Sequence, residues 1–407
     1  MMAYDEPGRS GQSESAPVGS TVDTDTVVDD RQNGEPGGDR FGVYVLWETL
    51  LLLGFAALVY LLWLENPTAL RGSGLRALIV DVVALGLLAL AAGLTLRTAA
   101  VNLAIGPVAV AAGLNFAEQS DRGLLIAVGT PAAVAAVGGL VLGLVVVLLH
   151  VPGWAASLGA AAGVVVYIEQ RAAPVLVQGD YDPRDIAGQL FVGFAALTVI
   201  GGLFGAIGPI RRLVGRFRPV ADPARRRGVA AAVVTTGGYV CSTVLAMLAG
   251  ALLASSDDAV TPGDGLDWTV LAVGAVLLAG TSAFGLRGGV FGTLLTVGAV
   301  GLFLAYAQAR GWTVSRWVVG GAALAVGLAV TRLVERYGRP VVGPPRPVSP
   351  PAAGDPAGGA GGWAMSQPEP VGDWPPVLPA QSTGDPTDPW GPRRWETNSP
   401  IWQADDR

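Results

Sequence analysis

The sequence predicts an all-α polytopic membrane protein of about ten transmembrane segments, some short or broken, between two disordered tails. Three observations predict it. Of the 407 residues, 51% are hydrophobic and only 14% are charged, against roughly one quarter charged in soluble domains. Several apolar runs approach or exceed the ~20 residues that cross a hydrocarbon core. These runs lack the alternating polar face of a soluble amphipathic helix. Composition changes sharply at both ends, giving an acidic tail over 1–40, a membrane domain over 41–338 and a Pro/Gly/Trp-rich tail over 339–407.

The elements follow in order. Residues 1–40 hold nine acidic residues, three arginines and no apolar core, so they are no signal peptide and stay disordered. The first segment covers 43–64, with Trp47 and Trp63 as interfacial anchors and Glu48 reaching the headgroups. The second covers 75–96; Asp81 either pairs with a polar group across the bundle or, the favoured reading, sits near the outer interface, and Arg97 marks the cytoplasmic end. A short third segment (103–116) precedes a long fourth (123–149) and a short fifth (151–168). The remaining segments are 186–207, 229–253, 268–281, 290–308 and 318–333. Short, glycine-interrupted segments in both halves point to a site at mid-membrane. The C-terminal tail, with sixteen prolines from residue 340 onward, has no apolar face to pack. It is read as solvated, or alternatively as a tether whose Trp-Pro motifs dock a cytoplasmic partner.

Charge sets the expected orientation. Loop 208–228 carries seven arginines against Asp222 and should face the cytoplasm. Loop 254–267 carries Asp257, Asp258, Asp264 and Asp267 without a base and should face outside. Ten crossings then place both termini in the cytoplasm of a bacterial plasma membrane. Arg71, Arg310 and Arg316 fall on the outer side and run against the rule.

Composition excludes several chemistries. All 26 basic residues are arginine, so there is no phosphate loop ending in Gly-Lys and no Schiff-base lysine. One histidine (His150) and one cysteine (Cys241) cannot build a zinc site or a disulfide. His150 reads as an interfacial cap and Cys241 as a packing residue. A net charge of −6 argues against nucleic acid as a partner.

The stretch Leu278–Leu295 lies between apolar runs yet holds five glycines, two threonines, Ser282 and Arg287. Irregular polar backbone at membrane depth is tolerated only inside protein or beside an aqueous path. The alternative is a tight turn whose glycines serve helix packing. Gly280-Thr281-Ser282, Gly285, Arg287-Gly288-Gly289 and Gly292-Thr293 resemble the late glycine-rich signature of ribose-type ABC importer permeases, in the branched-chain amino acid/sugar superfamily. Two other stretches match that family in order. Ala100–Gly106 is similar to its early Ile-Asp-Leu-Ser-Val-Gly motif, and His150–Gly159 to its Val-Pro…Thr-Leu-Gly motif.

The resemblance spans roughly 43–338 and implies a permease subunit, not an enzyme. It implies no cofactor on this chain, since ATP would be used by a separate ABC ATPase subunit. The other implied partners are an extracytoplasmic solute-binding protein, a second permease subunit (homo- or heterodimer) and membrane lipids. A sugar or similar small polar solute would pass Asn102, Gly106, Gly280, Thr281, Ser282, Gly285, Arg287, Gly288 and Gly289 as path or gate. Asn102 stands where the family has aspartate; an amide suits sugar hydroxyls or the capping of a broken helix. Gly215, Arg216, Asp222, Pro223, Ala224 and Gly228 match parts of the family's ATPase-coupling loop, but the loop is shorter here and loses a Gly-x-Asn. Two other classes stay open: an ion-gradient-coupled transporter, which needs a buried carboxylate or histidine relay, and a degenerate permease acting as a membrane scaffold.

Overall fold

The computed structural model describes residues 41–98, 100–206, 229–283 and 291–337. Among these are ten α-helices: α1 (Phe41–Glu65), α2 (Gly72–Arg97), α3 (Ile105–Gln119), α4 (Leu124–Leu149), α5 (Gly153–Ile168), α6 (Ala187–Ala206), α7 (Val229–Ser256), α8 (Leu266–Leu278), α9 (Gly292–Ala309) and α10 (Arg316–Tyr337). Seven are long and apolar enough to cross a membrane; α3, α5 and α8 are shorter. The chain is therefore an all-α, membrane-embedded protein. The ten segments expected from sequence all occur as helices, but length and composition qualify only seven as crossings.

The core sits on α2 and α7. In their apolar stretches 56% and 61% of residues are buried, against 6% in α1. Val82, Leu85 and Leu88 of α2 pack with Ile105 of α3, Ala249 of α7 and Leu271 of α8 in one buried cluster. A second cluster joins Phe116 of α3, Ala127 of α4 and Met247 of α7.

Lipid tails are as apolar as leucine, so helix contact inside a bilayer depends on close approach of small residues. Gly250 of α7 lies on α3 so tightly that a Cβ there would overlap the Ala109 carbonyl oxygen. Gly139 and Gly143, one helical turn apart on α4, meet the α7 backbone; a Cβ on each would come within 2.7 Å of Val240 Cα and Thr236 Cα respectively.

One pole collects the loops between α1 and α2, α3 and α4, α5 and α6, α7 and α8, and α9 and α10. A two-stranded antiparallel ladder, β1 (Val175–Leu176) with β2 (Ala259–Val260), ties two of these loops together. Ion pairs tie others: Arg171 with Glu118 at 2.6 Å, Arg310 with Glu65 at 3.2 Å and Arg316 with Asp267 at 2.6 Å. The Arg171 guanidinium is held well above its usual pKa by its hydrogen bond to Glu118.

Adjacent glycines on α4 give a direct packing test. Gly139→Ala should lower stability by about 1–3 kcal/mol through overpacking. Gly138→Ala, whose Cβ would have no neighbour within 4 Å, should be neutral or slightly stabilising through helix propensity. Unfolding midpoints in one detergent would separate the two.

Candidate functional site

Two interruptions of helix stand out, and the motif residues gather at them. The first lies between α2 and α3. Thr98 closes α2, its N–H donating to the Leu94 carbonyl at 2.9 Å. From Ala100 to Ala104 the backbone is irregular, and most of this stretch is buried. Side chains from three other helices take up its polar groups. The Val101 carbonyl accepts from Ser157 Oγ of α5 (3.0 Å) and from the Tyr239 hydroxyl of α7 (3.1 Å). The Leu103 N–H donates to Ser157 Oγ at 3.1 Å. Thr269 of α8 donates to the Leu103 carbonyl (3.2 Å) and accepts from the Gly106 N–H (3.0 Å).

Asn102 closes the set from within. It is 2% exposed. Its Oδ1 accepts from the Ala104 N–H at 3.0 Å, the local turn that an asparagine side chain makes two residues on. Its Nδ2 donates to Ser242 Oγ of α7 at 2.9 Å. Each buried polar group left unmet would cost about 1–3 kcal/mol, so the whole arrangement stabilises this one backbone path. The amide keeps one further donor and one further acceptor position.

The N-termini of α3 and α8 touch here. A Cβ on Gly106 would overlap the Gly265 carbonyl oxygen, and a Cβ on Gly265 would come within 2.6 Å of the Gly106 carbonyl oxygen. Gly265 also holds φ +70°, a left-handed conformation suited to glycine. Gly106 is thus a contact between two half-length helices.

The second interruption lies between α8 and α9. Gly280 takes φ +87°. Its N–H donates to the Leu277 carbonyl at 3.0 Å, and the Thr281 N–H donates to the Val276 carbonyl at 3.2 Å. This paired closure stops α8 at Leu278, three residues short of the end expected from sequence. Thr281 and Ser282 are both buried. Gly292 opens α9 directly against α8: a Cβ there would overlap the Ala279 carbonyl oxygen.

Two adjacent residues of α1 hold both sides of this break. Trp47 Nε1 donates to the Leu278 carbonyl at 2.8 Å, at the carbonyl end of α8. Glu48 Oε1 accepts from the N–H groups of Phe291 (2.8 Å) and Gly292 (3.0 Å), at the amide end of α9. An indole has only a donor and a carboxylate only acceptors, so each meets the helix end that needs it. The carboxylate also faces the positive end of the α9 dipole. Sequence alone reads Trp47 as an interfacial anchor and Glu48 as a structural residue within reach of the headgroups; the structure gives both a helix-capping role. Nothing in the local sequence marks them, because their partners lie more than 230 residues away.

Two of the three motif stretches meet. Ser157, in the stretch His150–Gly159, bonds the backbone of the stretch Ala100–Gly106. Gly280, Thr281 and Ser282 lie at the second break instead. Gly285, Arg287, Gly288 and Gly289, and the loop residues Gly215, Arg216, Asp222, Pro223, Ala224 and Gly228, lie outside the described residues. His150 caps α4 with φ 53° and is exposed. Cys241, expected in packing, is exposed on α7. Asp81 is exposed, although Val80 and Val82 beside it are buried. Among the described residues no group of three or more His, Cys, Asp or Glu is placed to hold a metal.

No family model matches the chain, and no curated protein and no solved structure matches it.

The Glu48 cap is testable alone. Glu48→Ala should cost about 1.5–3 kcal/mol, the range for hydrogen bonds to a charged group. Glu48→Gln keeps an oxygen acceptor and should lose less. Thermal midpoints of the purified variants, compared at equal detergent, check both the loss and its order.

Proposed function

We propose that this chain is the membrane-spanning permease subunit of an ABC importer. It moves a sugar or similar small polar solute by alternating access, driven by a separate ATPase subunit. One observation carries the reading: Ser157, from one motif stretch, bonds the irregular backbone of another, where two half-length helices begin. Broken helices meeting inside a bundle are a common setting for a transport site. The Gly280–Ser282 stretch, at the second break, supplies the gate.

The remaining parts follow from charge. The pole with Asp257, Asp258 and Asp264 faces outside and receives the solute-binding protein. The arginine-rich loop 208–228 faces the cytoplasm of a bacterial plasma membrane and docks the ATPase. A second permease subunit completes the path. Coupling to an ion gradient has less support, since it needs a buried proton or ion carrier, and Asp81 and His150 are both exposed.

Reversing Arg225, Arg226 and Arg227 to glutamate places three wrong charges on the docking loop, where like-charge contacts cost several kcal/mol. Four other arginines of the loop keep its orientation signal. The protein purified from its native membrane in mild detergent should carry a nucleotide-hydrolysing subunit, identified by mass spectrometry. The triple variant should insert normally and lose that subunit. A wild-type protein that never retains an ATPase would sink the importer reading and favour a scaffold.

A further inference from the structure

A trough of about 470 Å³ opens between α4 and α6. Its floor comes from α2 and α7, through Val83, Leu87, Leu248 and Leu252. Leu124 of α4 and Leu197 of α6 line it and are still 47% and 46% exposed, so it opens sideways, where a membrane protein meets hydrocarbon. From Gln189 to Leu197 on α6 the trough descends about 12 Å, at 1.5 Å per residue.

Polar groups stand at one end. Tyr181, Gln189 and Ser255 belong to the loop-rich pole, at the start of α6 and the end of α7. Deeper positions are apolar throughout. Beside this rim sits Arg184. Its Nη2 donates to the Ser256 carbonyl at 2.9 Å, which fixes the guanidinium at the trough's mouth. Its Nε is buried and makes no hydrogen bond; the Asp182 carboxylate lies 4.0 Å away. Asp257 follows Ser256 directly and is exposed. Asp81 of α2, also exposed, is within electrostatic reach of both Asp257 and Arg184. The rim thus presents one partly exposed guanidinium among three carboxylates.

We propose that this trough binds a membrane phospholipid with a zwitterionic primary-amine headgroup. One acyl chain lies along the apolar floor. The phosphate accepts from the outer edge of the Arg184 guanidinium, whose side chain is 40% exposed, a charge-assisted bond of the kind arginine favours. The ammonium donates to the carboxylates of Asp257 and Asp81. An anionic headgroup without the amine would leave those carboxylates facing like charge. A trimethylated amine has no N–H to donate. Partial burial raises the pKa of the Tyr181 phenol, which marks this end of the trough as a partly dehydrated place where such pairs gain strength. The site is independent of the transport reading.

The test uses the full chain in nanodiscs made from equal parts of phosphatidylethanolamine, phosphatidylcholine and phosphatidylglycerol with identical acyl chains. Native mass spectrometry then reads which lipid stays bound. Phosphatidylethanolamine should be retained about tenfold over phosphatidylglycerol, a difference of roughly 1.4 kcal/mol, and clearly over phosphatidylcholine. Gly193 lines the trough and has open space where a Cβ would stand, so Gly193→Trp should fill it and remove bound lipid of every class. Asp257→Asn lies outside the helices and should fold normally, keep lipid bound and weaken the preference for the amine. Equal retention of the lipids by the wild type, unchanged retention in Gly193→Trp, or an unchanged preference in Asp257→Asn would each overturn the proposal.

Discussion

A peptide group inside a bilayer has no water to bond, and that constraint governs how this bundle can interrupt its helices. Between α2 and α3 the chain leaves helical geometry while buried. It does so because Ser157, Tyr239, Ser242 and Thr269 stand where its amides and carbonyls, and the Asn102 amide, need partners. These four side chains come from α5, α7 and α8, so the break and the packing of three helices define one another. The glycines serve the same end. Gly106, Gly250 and Gly265 let backbones approach closely enough for short hydroxyl side chains to reach across.

The second break is met from outside the core. α1 is the least buried of the long helices, and two adjacent residues at its start bond the facing ends of α8 and α9. Tyr44, one turn earlier on α1, packs with Val330 and Val334 of α10 and with Trp47. A peripheral helix is thereby joined to the most irregular part of the bundle. The two breaks differ in kind: one is held by a shell of hydroxyls and an amide deep in the core, the other by an indole and a carboxylate that are only half-buried.

Much of the architecture was legible in the sequence. Apolar runs located ten helices, because a helix that must face lipid cannot disguise its hydrophobicity. The glycine and asparagine at 102–106 and 280 marked the interruptions, because those residue types permit turns and left-handed backbone. The sequence did not reveal which residues satisfy the breaks. Ser157, Ser242 and Thr269 lie in apolar helices, where a hydroxyl more often bonds its own preceding turn. Trp47 and Glu48 looked interfacial because a helix start supplies that reading by default. Length and composition qualify seven of the ten helices as crossings, because α3, α5 and α8 are real helices too short to count by length alone.

Side chains of α5, α7 and α8 hold the break at 100–106 in the core through hydrogen bonds to its backbone and to Asn102. Amide hydrogen exchange of the protein in nanodiscs tests it most directly. The amides of Leu103, Ala104 and Gly106 should be protected as well as those in the middle of α3, and Thr269→Val should release Gly106 selectively. Exchange at these positions as fast as in the exposed loop around Asp180, with Thr269→Val making no difference, would contradict the account.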